Sequence, residues 1–240
     1  RGEKVTNYPD LQLSDNFSGL KSINDIHIQG DTAFLATDFG IVTFDIRERL
    51  FRETYLIGQD GSILSVKQTH TDNQNLYAAT EEGLLYAPLE SAKFFFQNWQ
   101  RDFGMAREID KVTVFDEKVF VNRTRSDFAD SIWYRSDTGR WEHFAPATIT
   151  QNNDLRTSKG NLIVCNNFEA RAYDKDFQFT KNFNGTNLED STFAPRSALI
   201  GSNPENFWVT CNNNGLFQIF QVFPFVVQPN SPESGNAFSM

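Results

Sequence analysis

The feature that most constrains this chain is a repeat. FLATDFGIVTFD at 34–45 and LYAATEEGLLYA at 76–87 share one plan: an apolar strand ending in Ala-Thr, two residues, a Gly, then a second apolar strand. Gly40 and Gly83 stand 43 positions apart. FWVTCNNNGLFQIF at 207–220 is a variant with a longer connection, and its Gly215 lies 132 positions beyond Gly83, three periods of 44. Two weaker copies fill the gap, VFVNRTRSDFADSIWYR at 119–135 and LIVCNNFEARAYD at 162–174. A tight hairpin wants a residue at positive φ, which Gly adopts at little cost. Where Gly is missing, Asn166 and Asn167 are expected to take that conformation.

Each pair of strands extends on both sides. A short strand precedes it, as in INDIHIQG at 23–30, ILSVKQT at 63–69, IDKVTVFDEK at 109–118, DLRTSKGN at 154–161 and PRSALIGS at 195–202. A turn and a fourth strand follow, as in FDIRERLFRETYLI at 44–57, YRSDTGRWEHF at 134–144 and YDKDFQFTKNF at 173–183. Four short strands recurring every 40–45 residues or so are the content of a β-propeller blade. Expected blades cover 23–61, 62–105, 106–146, 147–190 and 191–230, with partial strands at 1–11 and 231–240. The fold class is therefore an all-β propeller of about five visible four-stranded blades. The ragged ends predict a larger, seven-bladed-like ring, and all 240 residues are read as a single propeller domain or a fragment of one.

Composition narrows the function. Formal net charge is −9, and no stripe of Lys and Arg offsets it, so a nucleic-acid partner is not expected. The longest apolar runs, Phe94–Phe96 and Phe223–Val227, fall far short of the roughly 20 residues of a membrane-spanning helix. The chain opens on Arg1 without a basic-then-apolar leader and reads as a mature or excised form. Cys165 and Cys211 occupy related places in successive repeats; a bridge between them is conceivable, and two small buried thiols are the plainer reading.

Catalytic chemistry is not evident. His27, His70 and His143 lack companions at metal-ligand spacing, and no calcium loop, phosphate loop, dinucleotide fingerprint or nucleophile elbow occurs. Neither cofactor nor metal is expected, and the chain reads as a binding module rather than an enzyme. Asn-x-Ser/Thr triplets at Asn16, Asn122 and Asn184 matter only in a eukaryotic secreted protein. Trp99, Trp133, Trp141 and Trp208 are expected to pack between blades. The candidate exception is Trp133 with Arg125 and Arg135, because the longer connection in that repeat offers a reach over one rim.

The pattern strand, Ala-Thr-x-x-Gly-Ile/Leu, strand resembles the two-component regulator propeller repeats of Bacteroidetes sensor domains and surface proteins. INDIHIQGDTAFLATDFGIVTFDIRERLFRETYLIGQDG at 23–61, LYAATEEGLLYAPLESAKFFFQNWQRD at 76–102 and the closing PNSPESGNAFSM at 229–240 are similar to the N-terminal propeller of the PorZ-type family. That resemblance implies a surface component of the type IX secretion system, outside the cytoplasm, engaging protein partners or lipopolysaccharide. The broader resemblance implies, as the alternative, a periplasmic oligosaccharide-sensing propeller of a hybrid two-component system. Neither carries a binding residue onto a numbered position here.

Overall fold

The computed structural model describes residues 6–9, 11, 21–125, 129–146, 150–186, 188, 192–203, 206–212 and 215–220. The partial strand expected at 231–240 lies outside them, and the described residues of that expected at 1–11, residues 6–9 and 11, form no strand. Two compact units make up the chain, Arg1–Thr150 and Gln151–Met240.

The first unit holds three blades. In the first, β1 (Ile23–Gln29), β2 (Thr32–Thr37), β3 (Gly40–Asp45) and β4 (Leu50–Tyr55) form one antiparallel meander. The second runs β5 (Val66–Thr71), β6 (Asn75–Thr80), β7 (Gly83–Pro88) and a two-residue β8 (Gln100–Arg101). The third runs β9 (Ile109–Phe115), β10 (Lys118–Arg123), β11 (Ser131–Arg135) and β12 (Trp141–His143). The second unit has a four-stranded sheet, β13 (Asn152–Ser158), β14 (Asn161–Asn166), β15 (Glu169–Tyr173) and β16 (Phe179–Asn184). Its other sheet has three described strands, β17 (Pro195–Ile200), β18 (Asn206–Cys211) and β19 (Gly215–Phe220).

Burial explains the strand sequences. The second strand of a blade is covered on both faces, so β2, β6 and β14 read as near-continuous apolar runs with five buried residues each. The fourth strands β4 and β12 are largely exposed or half-buried and are rich in charged residues. Cores lie between neighbouring sheets. Phe34, Ile41, Val66, Leu76 and Trp99 join the first and second blades, and Leu84, Met105, Ile109, Val112 and Val121 join the second and third. In the second unit, Ile163, Cys165, Phe207, Val209 and Cys211 share a cluster; both thiols are buried and not joined in a disulfide.

The repeat is more regular in the backbone than in the side chains. Every first strand carries a β-bulge at its second residue: Asn24, Lys67, Asp110, Asn153 and Arg196 are each skipped in the pairing with the second strand. These positions are uniformly 43 apart. A bulge raises local twist and re-aims side chains, so one end of each first strand is dressed in polar groups of different kinds on one template.

The conserved-looking Gly has two duties. Gly40 and Gly83 have φ of 140° and 121°. A Cβ on Gly40 would stand 2.2 Å from the Tyr55 carbonyl oxygen, and one on Gly83 would stand 2.3 Å from that of Met105. The Thr of the motif closes the same turn, with Thr37 Oγ1 donating to the Gly40 carbonyl at 2.9 Å and Thr80 Oγ1 to that of Gly83 at 2.7 Å. The expectation for Asn166 and Asn167 needs correcting: neither adopts positive φ. Asn166 Oδ1 instead accepts from the backbone N–H groups of Phe168 (2.8 Å) and Glu169 (3.0 Å), an Asx turn that makes a left-handed residue unnecessary.

Candidate functional site

Within each unit the bulge end of the first strands forms a polar seam from one blade to the next. Asn24 Nδ2 donates to Asp38 Oδ1 in its own blade and to the Val66 carbonyl in the following blade, at 3.1 and 2.8 Å. In the second unit Asn153 Nδ2 repeats this arrangement with Asn167 Oδ1 and the Pro195 carbonyl, at 3.0 and 2.8 Å. Arg196 Nη1 returns a hydrogen bond to Asn153 Oδ1 at 2.9 Å, and Ser197 Oγ donates to the buried Asp154 at 2.6 Å. The Val112 N–H donates to Gln68 Oε1 at 2.9 Å. All of these inter-blade bonds join residues 42 to 44 apart, the repeat length itself. The seam is thus a fastening between blades.

His27 and His70, also 43 apart, stack with ring centroids 4.3 Å apart, and His27 Nε2 bonds Thr71 Oγ1 at 2.7 Å. Burial, helped by the His70 ring, lowers the His27 pKa to about 4. His27 is half-buried between the first two blades. His143 stacks edge-on with Trp133 at 5.4 Å. Among the described residues no group of three or more His, Cys, Asp or Glu converges as a metal site.

The sequence-derived trio is not brought together as a rim. Trp133 packs against the core between the second and third blades, with Nε1 donating to Ser131 Oγ at 2.9 Å. Arg135 pairs with Asp102 of the preceding blade, and its guanidinium lies over the Trp141 and Tyr86 rings at 5.2 and 6.0 Å. Trp141 Nε1 donates to the same Asp102 at 3.1 Å. Arg135 therefore clamps two blades. Arg125 lies outside this clamp, in the connection after β10, where its N–H donates to Asp130 at 3.3 Å. Trp99 is buried in the first inter-blade core, donating to the Lys93 carbonyl at 2.8 Å.

Two recesses of the first unit are candidate binding sites. The larger, about 430 Å³, is lined by Thr32, Phe34, Thr43, Asp45, Arg52, Glu53, Tyr55 and Lys93. Its polar groups largely satisfy one another: Arg52 pairs with Asp45 at 3.0 Å, Tyr55 Oη donates to Glu53 at 3.0 Å, and Lys93 Nζ donates to the Leu89 carbonyl at 2.5 Å. Burial raises the Tyr55 pKa, and its bond to Glu53 adds to this, so the phenol stays a donor. The arrangement offers hydrogen bonds to a polar ligand. The smaller recess, about 160 Å³, is lined by Phe103, Gly104, Met105, Ala106, Arg107 and Arg123. The sequence alone did not single out Arg107 and Arg123, which precede and end the first two strands of the third blade.

Residues 1–100 match the family described as TSS9, PorZ, N-terminal β-propeller domain. Among solved structures, PorZ, described as an essential bacterial surface component of the type IX secretion system of Porphyromonas gingivalis, superposes with a TM-score of 0.71 at 15% identity, over 90% of this chain and 27% of that one. The extracellular domain of a putative hybrid two-component system from B. thetaiotaomicron gives a TM-score of 0.60 at 15% identity, over 87% of this chain and 29% of that one. The Neurospora crassa Pan2 WD40 domain gives 0.53 at 9% identity, over 82% and 75%. No curated protein matches the chain. The chain spans under a third of the length of the PorZ and two-component proteins. At these identities the shared property is the fold: the chain is an all-β propeller, similar over residues 1–100 to the PorZ N-terminal propeller domain.

Proposed function

We propose that this chain is a non-enzymatic binding and assembly propeller, a surface component of a type IX protein secretion system, acting outside the cytoplasm on protein partners or lipopolysaccharide. In this reading its blades are one propeller domain, part of a larger ring. The observation that carries it is the agreement of two comparisons on one relative, the family match over residues 1–100 and the PorZ superposition over 90% of the chain. The site chemistry supports it: recesses lined by hydrogen-bonding and cationic groups, with the His and Trp side chains largely committed to inter-blade packing. Deleting the gene in its own host is expected to block secretion and surface attachment of cargo proteins. Undiminished cargo on the surface of the deletion strain overturns the reading.

A second reading is favoured by the similarity to extracellular domains of two-component systems. There the propeller is the periplasmic sensor for an oligosaccharide. The full-length gene separates the two, since a kinase following the propeller supports the sensor and a sorting domain supports the secretion component.

A further inference from the structure

The smaller recess holds two cationic groups, Arg107 and Arg123, that pair with no carboxylate among the described residues. Arg123 is the last residue of β10, opposite the bulge at Asp110, and pairs in register with Ile109. The bulge sets the direction of its side chain, which meets Arg107 in a recess of about 160 Å³ walled by residues 103–106. The Arg123 Nε is buried and has no hydrogen-bond partner. Such a donor is costly to leave unsatisfied, and it marks a place where an acceptor fits. Burial lowers the Arg123 pKa, and the charges of Arg107 and Arg125 lower it further.

Three of the nearby carboxylates are engaged elsewhere. Asp102 holds Arg135 and Trp141, Asp110 holds Lys111 and Asn122, and Asp130 takes Asn122 and the Arg125 N–H. Glu108 is exposed; its carbonyl accepts from Thr124. In a chain of net charge −9, two guanidinium groups lining one recess, with the charge of Arg125 acting on Arg123 and no ion pair at Arg107 or Arg123 among the described residues, are a local reversal of the overall field. Guanidinium forks bind phosphate oxygens in pairs. The recess is well below the roughly 300–1,000 Å³ of a cleft that encloses a drug-sized ligand, so it fits one compact group rather than a whole molecule. Beside it Phe103 is 88% exposed, an apolar ring at the mouth with nothing of the described protein covering it.

We propose that Arg107 and Arg123, with the charge of Arg125 beside them, form a binding site for a phosphate group, and that Phe103 contacts the sugar or other ring that carries it. The site stands on its own, whether or not the chain serves secretion.

The test is titration of the full chain, followed by calorimetry at low ionic strength, with inorganic phosphate, glucose 6-phosphate and glucose. Saturable one-site binding of both phosphates is expected, and none of glucose. R107Q and R123Q should each weaken phosphate binding by about tenfold, the scale of one charge-assisted pair. F103A should weaken glucose 6-phosphate by about threefold and leave inorganic phosphate unchanged. Arg107 is exposed, so R107Q is expected to keep its fold, with thermal unfolding as the check. Absence of saturable phosphate binding, or full affinity in R107Q, overturns the proposal. Equal affinities for the two phosphates in wild type and F103A overturn the Phe103 contact and make free phosphate the ligand. Because binding is read in vitro, these outcomes are independent of any secretion phenotype.

Discussion

At the scale of single residues, the same amino acid has different worth at different places in the repeat. Gly40 combines φ of 140° with a carbonyl oxygen 2.2 Å from where a Cβ would stand, whereas Gly139, at φ 78°, has open space around it. Gly40→Ala should therefore cost about 2–3 kcal/mol or more and Gly139→Ala about 1 kcal/mol, read from urea unfolding midpoints. The sequence pointed to Gly40 through its hairpin; the close approach of the chain at Tyr55 was invisible there. His27 gives a pH prediction. Its folded pKa, about 4, lies below the ordinary value of 6.5, so the unfolded chain binds the extra proton first. Stability from this group is complete above about pH 6.5 and is lost as pH falls toward 4. The melting temperature should drop across that window, and His27→Gln should flatten the drop; an equally steep profile in H27Q refutes the assignment.

At the scale of elements, the blades are joined by a few polar fastenings as well as apolar cores. Asp102 is the clearest, since it accepts from Arg135, Trp141 and the Gly104 N–H. Asp102→Ala leaves these donors without their acceptor and should destabilise by about 2–4 kcal/mol, measured by chemical denaturation. Asn153→Ala removes one donated and one accepted bond between the two sheets of the second unit and one donated bond within its own sheet's blade, with an expected loss of about 1–3 kcal/mol. The strands themselves were legible, because alternation, turn residues and the Ala-Thr-x-x-Gly motif act locally. The fastenings were not: their partners sit one repeat away, and a separation of 43 residues leaves no local pattern. The partner of Arg135, Asp102 on the neighbouring blade, was equally illegible at a separation of 33.

At the scale of the whole molecule, equivalent repeat positions meet unequal surroundings. Ile26, Val112 and Leu155 occupy the same place in the first strand of their blades, yet Ile26 is 56% exposed while Val112 and Leu155 are 0% exposed. Ile26→Ala should shift stability by well under 1 kcal/mol in this chain, and Leu155→Ala should cost about 2–5 kcal/mol. Comparable losses at both positions would mean that Ile26 is covered in solution. Cys165 and Cys211 are buried and not joined in a disulfide, and burial raises the Cys165 pKa, so neither should react with a thiol reagent until the chain unfolds.

By itself the sequence determined the propeller class, the blade length and most strand positions, because those follow from short-range periodicity and turn chemistry repeated five times. Only the tertiary structure decided which polar side chains are consumed as fastenings and which remain available for a ligand. That decision depends on neighbours on an adjacent blade: the Asp102 carboxylate that captures Arg135, 33 residues away, and the lack of any ion pair for Arg107 and Arg123 among the described residues. The repeat that opened the reading is in this sense deeper than its Gly spacing, since the bulges at Asn24, Lys67, Asp110, Asn153 and Arg196 keep a strict period of 43 while their side chains diverge. Backbone geometry has to repeat for blades to stack, and side chains at the bulge are free to differ because each answers only to its immediate neighbours.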